Sequence, residues 1–353
     1  MSGAGELARQ LCGWFGANAR ELPWRMAAPG ERDPYQVLVS ELMLQQTQVS
    51  RVVERFRVFV ARFPTFAALA AADEGEVMAL WAGLGYYRRA RLLHAAAKAV
   101  VGRHGGEMPR EMAAIGDLPG VGRYTAGAIA SIGLGRAEAL VDGNVSRVLL
   151  RLEGKALASD DPAAVAFAWE RAGELVRAAA NPGAFNEALM ELGATVCTPT
   201  APKCGECPWR EACVARREGT MGEIPRPKTR VARTSLRFEC VVLRDAKGRV
   251  LLEQRPVGGL WGGLWQPPSV EMVGTRKPAA GELLAKLGLP EVALAQAGVV
   301  RRTLTHRNVV MRVWVGAAGG KMEGRAWFEV GALPAMSSAH VAVLARAEAE
   351  VGD

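Results

Sequence analysis

At 353 residues the chain exceeds what one hydrophobic core organises, because single cores stop growing near about 250 residues, so two or three domains are expected. Hydrophobic residues make up 50% and charged residues 23%, a balance that excludes a disordered chain. The formal net charge of +8 favours a polyanionic partner without naming one, since Lys and Arg that neutralise phosphates release condensed counterions.

The start, MSGAGELARQLCGWF, has no basic segment leading into an apolar stretch, and no run of about 18 apolar residues occurs anywhere. A soluble cytosolic or nuclear protein with no membrane partner is therefore expected. From there to about Cys213 the pattern is helix after helix, rich in Ala, Leu and Val and broken at Pro23, Pro34, Pro64, Pro109 and Pro119. A helix over 34–46 gives Glu41 the neighbours Val37, Leu38, Leu44 and Gln45, an apolar setting for a carboxyl group. Such a setting disfavours ionisation and suits a general acid, although a buried glutamate satisfied by a neighbouring helix has the same pattern. The chain has four tyrosines, and Tyr86, Tyr87 and Tyr124 all lie in the distinctive segments GLGYYRRA and LPGVGRYTAGAI.

In the second of these, Gly120 and Gly122 let the backbone turn tightly, and the helix pattern that follows from Arg123 opens with unpaired amides that suit a phosphate. A purely structural turn between helices reads the same way. Asp142 stands before Gly143-Asn144-Val145-Ser146-Arg147-Val148, another helix start, where an N-cap is its simplest role. Four of the six cysteines, Cys197, Cys204, Cys207 and Cys213, then fall in one short segment, while Cys12 and Cys240 stand alone. In a reducing compartment such clustering means metal before disulfide. Only one close pair exists, where zinc sites usually have two, so a 4Fe-4S cluster is favoured on spacing and zinc is the alternative. Lys203, Arg210, Arg216 and Arg217 around the cysteines could present charge to phosphates.

Residues 215–233 are basic, contain Pro225 and Pro227 and have few large apolar side chains, the composition of a linker. Beyond it, 238–243 and 250–254 read as strands joined by a hairpin at Asp245-Ala246-Lys247-Gly248, with further strands at 309–315 and 326–328 and helices at 281–287 and 338–350. The expected organisation is a helical region over 1–214, a linker over 215–233 and a small α+β domain over 234–353.

Taken together these motifs carry a resemblance. LPGVGRYTAGAI resembles the helix-hairpin-helix of the base-excision glycosylase superfamily, here about 114–135; VDGNVSRVL is similar to its catalytic aspartate loop, and the cysteine loop over 197–213 to that of its iron-sulfur members. SELMLQQTQV and GLGYYRRA narrow the resemblance to the MutY-type adenine DNA glycosylases, whose C-terminal domain resembles the Nudix hydrolases. The resemblance implies an all-α helix-hairpin-helix glycosylase with an iron-sulfur loop plus an α+β Nudix-like domain, and a 4Fe-4S cluster on Cys197, Cys204, Cys207 and Cys213. It also implies a monomer acting in the cytoplasm at the nucleoid, or in a nucleus, on double-stranded DNA with adenine opposite 8-oxoguanine or guanine.

Cleaving a purine from deoxyribose requires a protonated base and a stabilised sugar cation, a demand close to that of glycoside hydrolysis. The resemblance gives Glu41 the proton delivery and Asp142 the sugar, with Asn144 placing the water or the carboxylate. Tyr124 stands where bifunctional relatives carry a lysine nucleophile, and a phenol cannot form a Schiff base; Ser146 replaces a lysine found in some adenine glycosylases. Gln46 and Tyr86 are the implied wedges in the opened base stack, with Thr47 and Leu84 nearby, Gly120 and Gly122 at the DNA backbone, and Arg25 at the flipped base. The C-terminal domain lacks the acidic cluster that holds metal in a Nudix hydrolase, offering Glu271, Arg276, Lys277 and Glu282 in its place, and so looks like a binding descendant of that fold. Its segment 303–306 resembles the 8-oxoguanine-reading loop: Thr305 keeps a hydroxyl able to accept a hydrogen bond from N7–H, His306 matches, and Leu304 replaces an aromatic. Three rivals are weaker: a bifunctional endonuclease III-like pyrimidine-lesion glycosylase is opposed by Tyr124, a non-catalytic damage sensor by the Glu41–Asp142 pair, and a nucleotide pyrophosphatase by the missing metal ligands.

Overall fold

The computed structural model of the chain describes residues 3–227, 233–274, 276–304 and 306–349. It divides into two compact units, one of Met1–Leu80 with Arg88–Thr229 and the other of Trp81–Tyr87 with Arg230–Asp353. Among the described residues no helix is long and apolar enough to cross a membrane.

The first unit is helical, and its principal helices are α1 (Ala4–Asn18), α2 (Pro34–Leu44), α3 (Val49–Arg62), α4 (Arg88–His104), α5 (Arg123–Ala128), α6 (Gly143–Leu152), α7 (Pro162–Arg177), α8 (Pro182–Thr195) and α9 (Val214–Glu218). Several starts follow one recipe. Asp33, Asp161 and Asn181 each accept a backbone amide, from Tyr35 (2.9 Å), Ala163 (2.8 Å) and Ala184 (2.9 Å), and each is followed by a proline at the first helical position. Proline there has no N–H to satisfy and a φ already suited to the helix. In α2, Tyr35 and residues 37–43 are all buried, so no broad face is left to solvent and the other helices pack around it. After α5 the chain continues into a π-helical turn over Ile129–Gly133, tied down by Ser131 Oγ donating to Gly127 O (2.7 Å) and Asn186 Nδ2 donating to Ser131 Oγ (2.8 Å).

Two boundaries differ from the sequence expectation. Residues 215–227 are not a free linker: Ala215 and Ile224 pack into a small core with Leu150 and Ala164, Arg151 Nε donates to Ile224 O (2.7 Å), and Arg226 bridges to Ala158. One buried isoleucine and a few backbone bonds suffice to anchor a segment whose composition reads as linker. The helical region is also discontinuous, because Trp81–Tyr87 groups with the second unit, where Tyr87 Oη donates to Met336 O at 3.1 Å.

In the second unit a seven-stranded sheet comprises β1 (Thr234–Arg244), β2 (Val250–Gln254), β3 (Trp265–Gln266), β4 (Ser269–Glu271), β5 (Ala295–Thr303), β6 (Arg307–Ala317) and β7 (Arg325–Phe328), flanked by α10 (Ala280–Leu287) and α11 (Ser338–Ala349). The order is β3-β2-β1-β6-β5, with β4 paired to β1 and β7 to β2; the β1–β6 pair is parallel and the others are antiparallel. Phe238, Cys240 and Val242 of β1 pack with α11, whereas Val241 and Leu243 pack with α10. A strand buried on both faces reads as a near-continuous apolar run, which is why β1 was legible. The expected strands lie within β1, β2, β6 and β7, and the expected helices correspond to α10 and α11. β3, β4 and β5 were not foreseen: β3 spans two residues, and β5 carries a bulge between Gln296 and Gly298 and ends in three exposed polar residues.

A glycine contact in the first unit has a measurable consequence. A Cβ on Gly127 would stand 2.0 Å from Ala139 O, with backbone rather than a flexible side chain in the way. Gly127→Ala should therefore lower the thermal midpoint, with a cost at or above the roughly 1–3 kcal/mol typical of overpacking. Calorimetry of the two proteins checks this, and an unchanged midpoint would mean that α5 shifts freely.

Candidate active site

Glu41 lies near the middle of α2 with 7% of its surface exposed. Burial pushes its carboxyl from 4.5 up to about 7; the Tyr124 phenol, hydrogen-bonded to it, works against the rise, the negative charges of Asp142 and Glu187 add to it, and Arg25 opposes it. Tyr124, one residue into α5, keeps its proton firmly because burial and then the facing carboxylates raise its value; its Oη also lies 3.1 Å from Met190 Sδ.

Asp142 caps α6 as its position suggested: Oδ1 accepts from Val145 N (2.7 Å) and Oδ2 from Asn144 Nδ2 (3.0 Å). Asn144 is itself held by Arg147, whose Nη2 donates to Asn144 Oδ1 (2.9 Å) and to Gly193 O (2.8 Å) and whose Nε donates to Cys197 O (2.8 Å). One turn further along α6, Arg151 donates to Cys197 Sγ (3.4 Å), Thr198 O (2.7 Å) and Pro199 O (2.8 Å). One helix thus carries the acidic turn at its start and anchors the cysteine loop along its side.

Sequence reading missed two carboxylates beside this pair. Glu187 and Glu191 lie one turn apart on α8, 2% and 1% exposed. Glu187 Oε1 accepts from Arg25 Nε (3.1 Å) and from Arg32 Nη1, while its Oε2 is buried with no partner among the described residues. Burial raises its carboxyl against the pull of Arg32 and Arg25. For Glu191 the balance is reversed: burial again works upward, but hydrogen bonds from Arg20 (2.6 and 2.9 Å) and Arg25 (3.1 Å) bring it below its usual range. Arg25 is close enough to Glu41 to lower its value, and its guanidinium is engaged by Glu187 and Glu191. The signal available was a pair of glutamates four apart inside the apolar run 184–193, which one buried helix face cannot hold without cations.

The other sequence candidates divide. Gln46 and Tyr86 are both exposed and both hold a positive φ, 56° and 47°, an uncommon backbone state for residues with a Cβ. Arg89 shapes the first: its guanidinium donates to Leu42 O, Met43 O and Gln45 O (2.7, 2.9 and 2.5 Å) and to Thr47 Oγ1 (3.0 Å), filling the end of α2. Leu84, expected at a DNA surface, is instead 5% exposed, an apolar side chain withdrawn from solvent. Gly120 takes a positive φ of 79° and Gly122 is exposed just before α5. Thr305 lies outside the described residues; His306 is exposed and its carbonyl accepts from Thr234 N (3.2 Å).

All four clustered cysteines carry free thiols and line one cavity, whose remaining wall includes Val148, Leu152, Leu192, Trp209 and Met221. Burial, with added repulsion among the four, raises Cys207 to about 12 and raises Cys213. Among the described residues no three His, Cys, Asp or Glu side chains close on a single point as one metal ion requires.

Residues 39–171 match the HhH-GPD superfamily base excision DNA repair protein model, and residues 239–346 match a NUDIX domain. The chain is 38% identical to human adenine DNA glycosylase over 86% of its own length and 65% of the human protein, and 36% identical to the rat adenine DNA glycosylase over 89% and 70%. The chain belongs to the adenine DNA glycosylase family. It spans about two thirds of the length of these relatives. Among solved structures, a thermostable thymine-DNA glycosylase superposes with a TM-score of 0.54 at 29% identity, over 61% of this chain and 97% of that one.

The raised Glu41 value has a sign that stability measurements can read. A carboxyl whose folded value lies near 7, above the unfolded 4.5, contributes stability that is present below about pH 4.5 and lost as pH rises through about 7. Glutamine does not titrate, so Glu41→Gln should gain on the unmodified protein by an amount on the order of 2–3 kcal/mol between pH 5 and pH 8. Urea melts at the two pH values give the difference; one that does not change with pH would place Glu41 in contact with water.

Proposed function

We propose that this protein hydrolyses the N-glycosidic bond of adenine mispaired with 8-oxoguanine or guanine in duplex DNA, leaving an abasic site and an intact strand. The observation that carries the reading is the contrast between two neighbouring carboxyl groups. Glu41 is buried and holds its proton near neutral pH, whereas Asp142 has both oxygens hydrogen-bonded as acceptors. A proton donor and a fixed negative charge are what departure of a base from deoxyribose requires. Glu41 protonates the purine ring, Asp142 stabilises or transiently captures the sugar carbon, and Asn144 orients Asp142. Glu187 Oε2 and Arg25 line the same region and suit the amino group and ring nitrogens of adenine. Adenine must leave the stack to reach Glu41; the exposed, strained Gln46 suits a wedge in the opened stack, and Tyr86 is given the same role by its resemblance to the family.

Tyr124 supports a monofunctional reaction, because no amine stands at that position to form a Schiff base. Recognition of 8-oxoguanine is assigned to the Thr305–His306 segment on its resemblance to the family loop. The four thiols around one cavity suit a 4Fe-4S cluster, in which four separated thiolates each bind one corner of a cage. Cys197, Cys204, Cys207 and Cys213 would hold it, and when bound it would supply four bonds that fix the loop carrying Lys203, Arg210, Arg216 and Arg217.

Duplexes with adenine opposite 8-oxoguanine, guanine or thymine test the reaction on a gel. Strand breaks should appear only after alkali, and only for the first two duplexes. Breaks without alkali, together with a borohydride-trapped adduct, would favour the bifunctional rival. Glu41→Gln should lower single-turnover excision by at least about a hundredfold with duplex affinity kept, and in the unmodified protein the rate should fall as pH rises through about 7. Near-normal excision by the variant would remove Glu41 from the mechanism.

Metal content is checked separately. Protein purified anaerobically should be brown and contain about four iron atoms per chain. One equivalent of zinc with no iron would overturn the cluster while leaving the four ligands in place.

A further inference from the structure

The register of three neighbouring strands gathers charge on one face of the second unit. Arg237 pairs with Val310, which pairs with Arg301; two residues along, Glu239 pairs with Arg312, which pairs with Val299. Side chains alternate between the faces of a strand, so Arg237, Glu239, Arg301 and Arg312 share a face with Val241 and Trp314, which belong to the core under α10. Arg237 and Arg301 are exposed, so α10 leaves this end of the face uncovered. Lys277, also exposed, adds to the group, with its Nζ 5.1 Å from the centre of the Trp314 ring.

Glu239 is the carboxylate on these rungs, and both of its oxygens are engaged. Oε1 accepts from Arg312 Nη1 (2.8 Å) and Oε2 from Trp314 Nε1 (2.6 Å). The ion pairs described in this unit use Arg244, Arg249, Arg276, Arg312 and Arg325, which leaves the charges of Arg237, Arg301 and Lys277 uncompensated.

We propose that this open basic face binds the phosphodiester backbone of duplex DNA, as a track leading away from the β5–β6 turn. Arg301–Val310 lies two rungs from Thr303–Asn308, the last pair of that hairpin. The backbones of Arg237 and Arg301, two strands apart, are separated by roughly 10 Å. With a phosphate about every 3.4 Å of axis on each strand, roughly three phosphates fall within that span. The contacts are to backbone and carry no sequence information, so they position the duplex without choosing the mispair. The proposal rests on the reading that the protein acts on DNA.

The test is the salt dependence of duplex binding by the full chain. Replacing Arg237, Arg301 and Lys277 together by glutamine should make the slope of log affinity against log salt shallower by about two to three units, at about 0.9 per phosphate. The change should be equal for duplexes with adenine opposite 8-oxoguanine and for fully paired ones, while single-turnover excision at saturating protein stays unchanged. A control that removes the same charge elsewhere in the unit, Lys247, Lys286 and Lys321 to glutamine, should leave the slope close to that of the unmodified protein. An unchanged slope in the first variant, or an equal fall in the control, overturns the proposal. So does pyrophosphate binding that the first variant abolishes while its duplex slope is unchanged, which would assign the face to a free polyphosphate. If the slope falls as expected but the unmodified protein releases no adenine, the DNA-backbone face stands and the glycosylase reading fails.

Discussion

A carboxyl group kept from ionising inside a helix bundle is the constraint around which the first unit is arranged. Three arginines, Arg20, Arg25 and Arg32, approach four acidic side chains, Glu41, Asp142, Glu187 and Glu191, yet the ion pairs go to Glu187 and Glu191 alone. Asp142 is served by neutral amide donors, and Glu41 is left with a phenol and apolar neighbours. Solvation is thus distributed unequally, and burial raises the Glu41 carboxyl to about 7. Any cation brought alongside Glu41 would lower its value and weaken it as an acid near neutral pH.

The acidic turn and the cysteine loop depend on the same helix. Arg147 and Arg151, on successive turns of α6, reach across to Cys197 and the carbonyls after it, while Asp142 caps the end of that helix. Guanidinium groups suit this task because their donors are fixed in a plane and can bridge several carbonyls at once. The geometry of Asp142 is therefore set partly by residues some 50 positions later in the chain.

What could be read from the sequence was whatever local spacing determines. The setting of Glu41 follows from its helical neighbours, the capping role of Asp142 from the helix start behind it, and β1 from a largely apolar run that Glu239 alone interrupts. Glu187 and Glu191 escaped because their meaning depends on Arg20, Arg25 and Arg32, more than 150 residues earlier, and no local pattern announces that meeting. Residues 215–227 were misread for a related reason: one buried isoleucine, one hydrogen bond from Arg151 and the Arg226 amide on Leu157 O hold them, and composition registers none of these. β5 was lost because its bulge and its polar end break the alternation by which a strand is recognised. Those same polar residues include Arg301, so the feature that hid the strand is also the one that gives its face a charge.

The burial of α2 on nearly every side leaves this helix little freedom to drift. A surface helix can exchange half of its residues without disturbing its neighbours, whereas each position from 37 to 43 is enclosed by side chains of other elements. Arg25 and Arg32 reach Glu187 from the segment before α2, so the charge balance beside Glu41 can be altered by an exchange that lies outside that enclosed helix. The helix that holds Glu41 and the cations that tune its surroundings are, in this protein, separately adjustable parts.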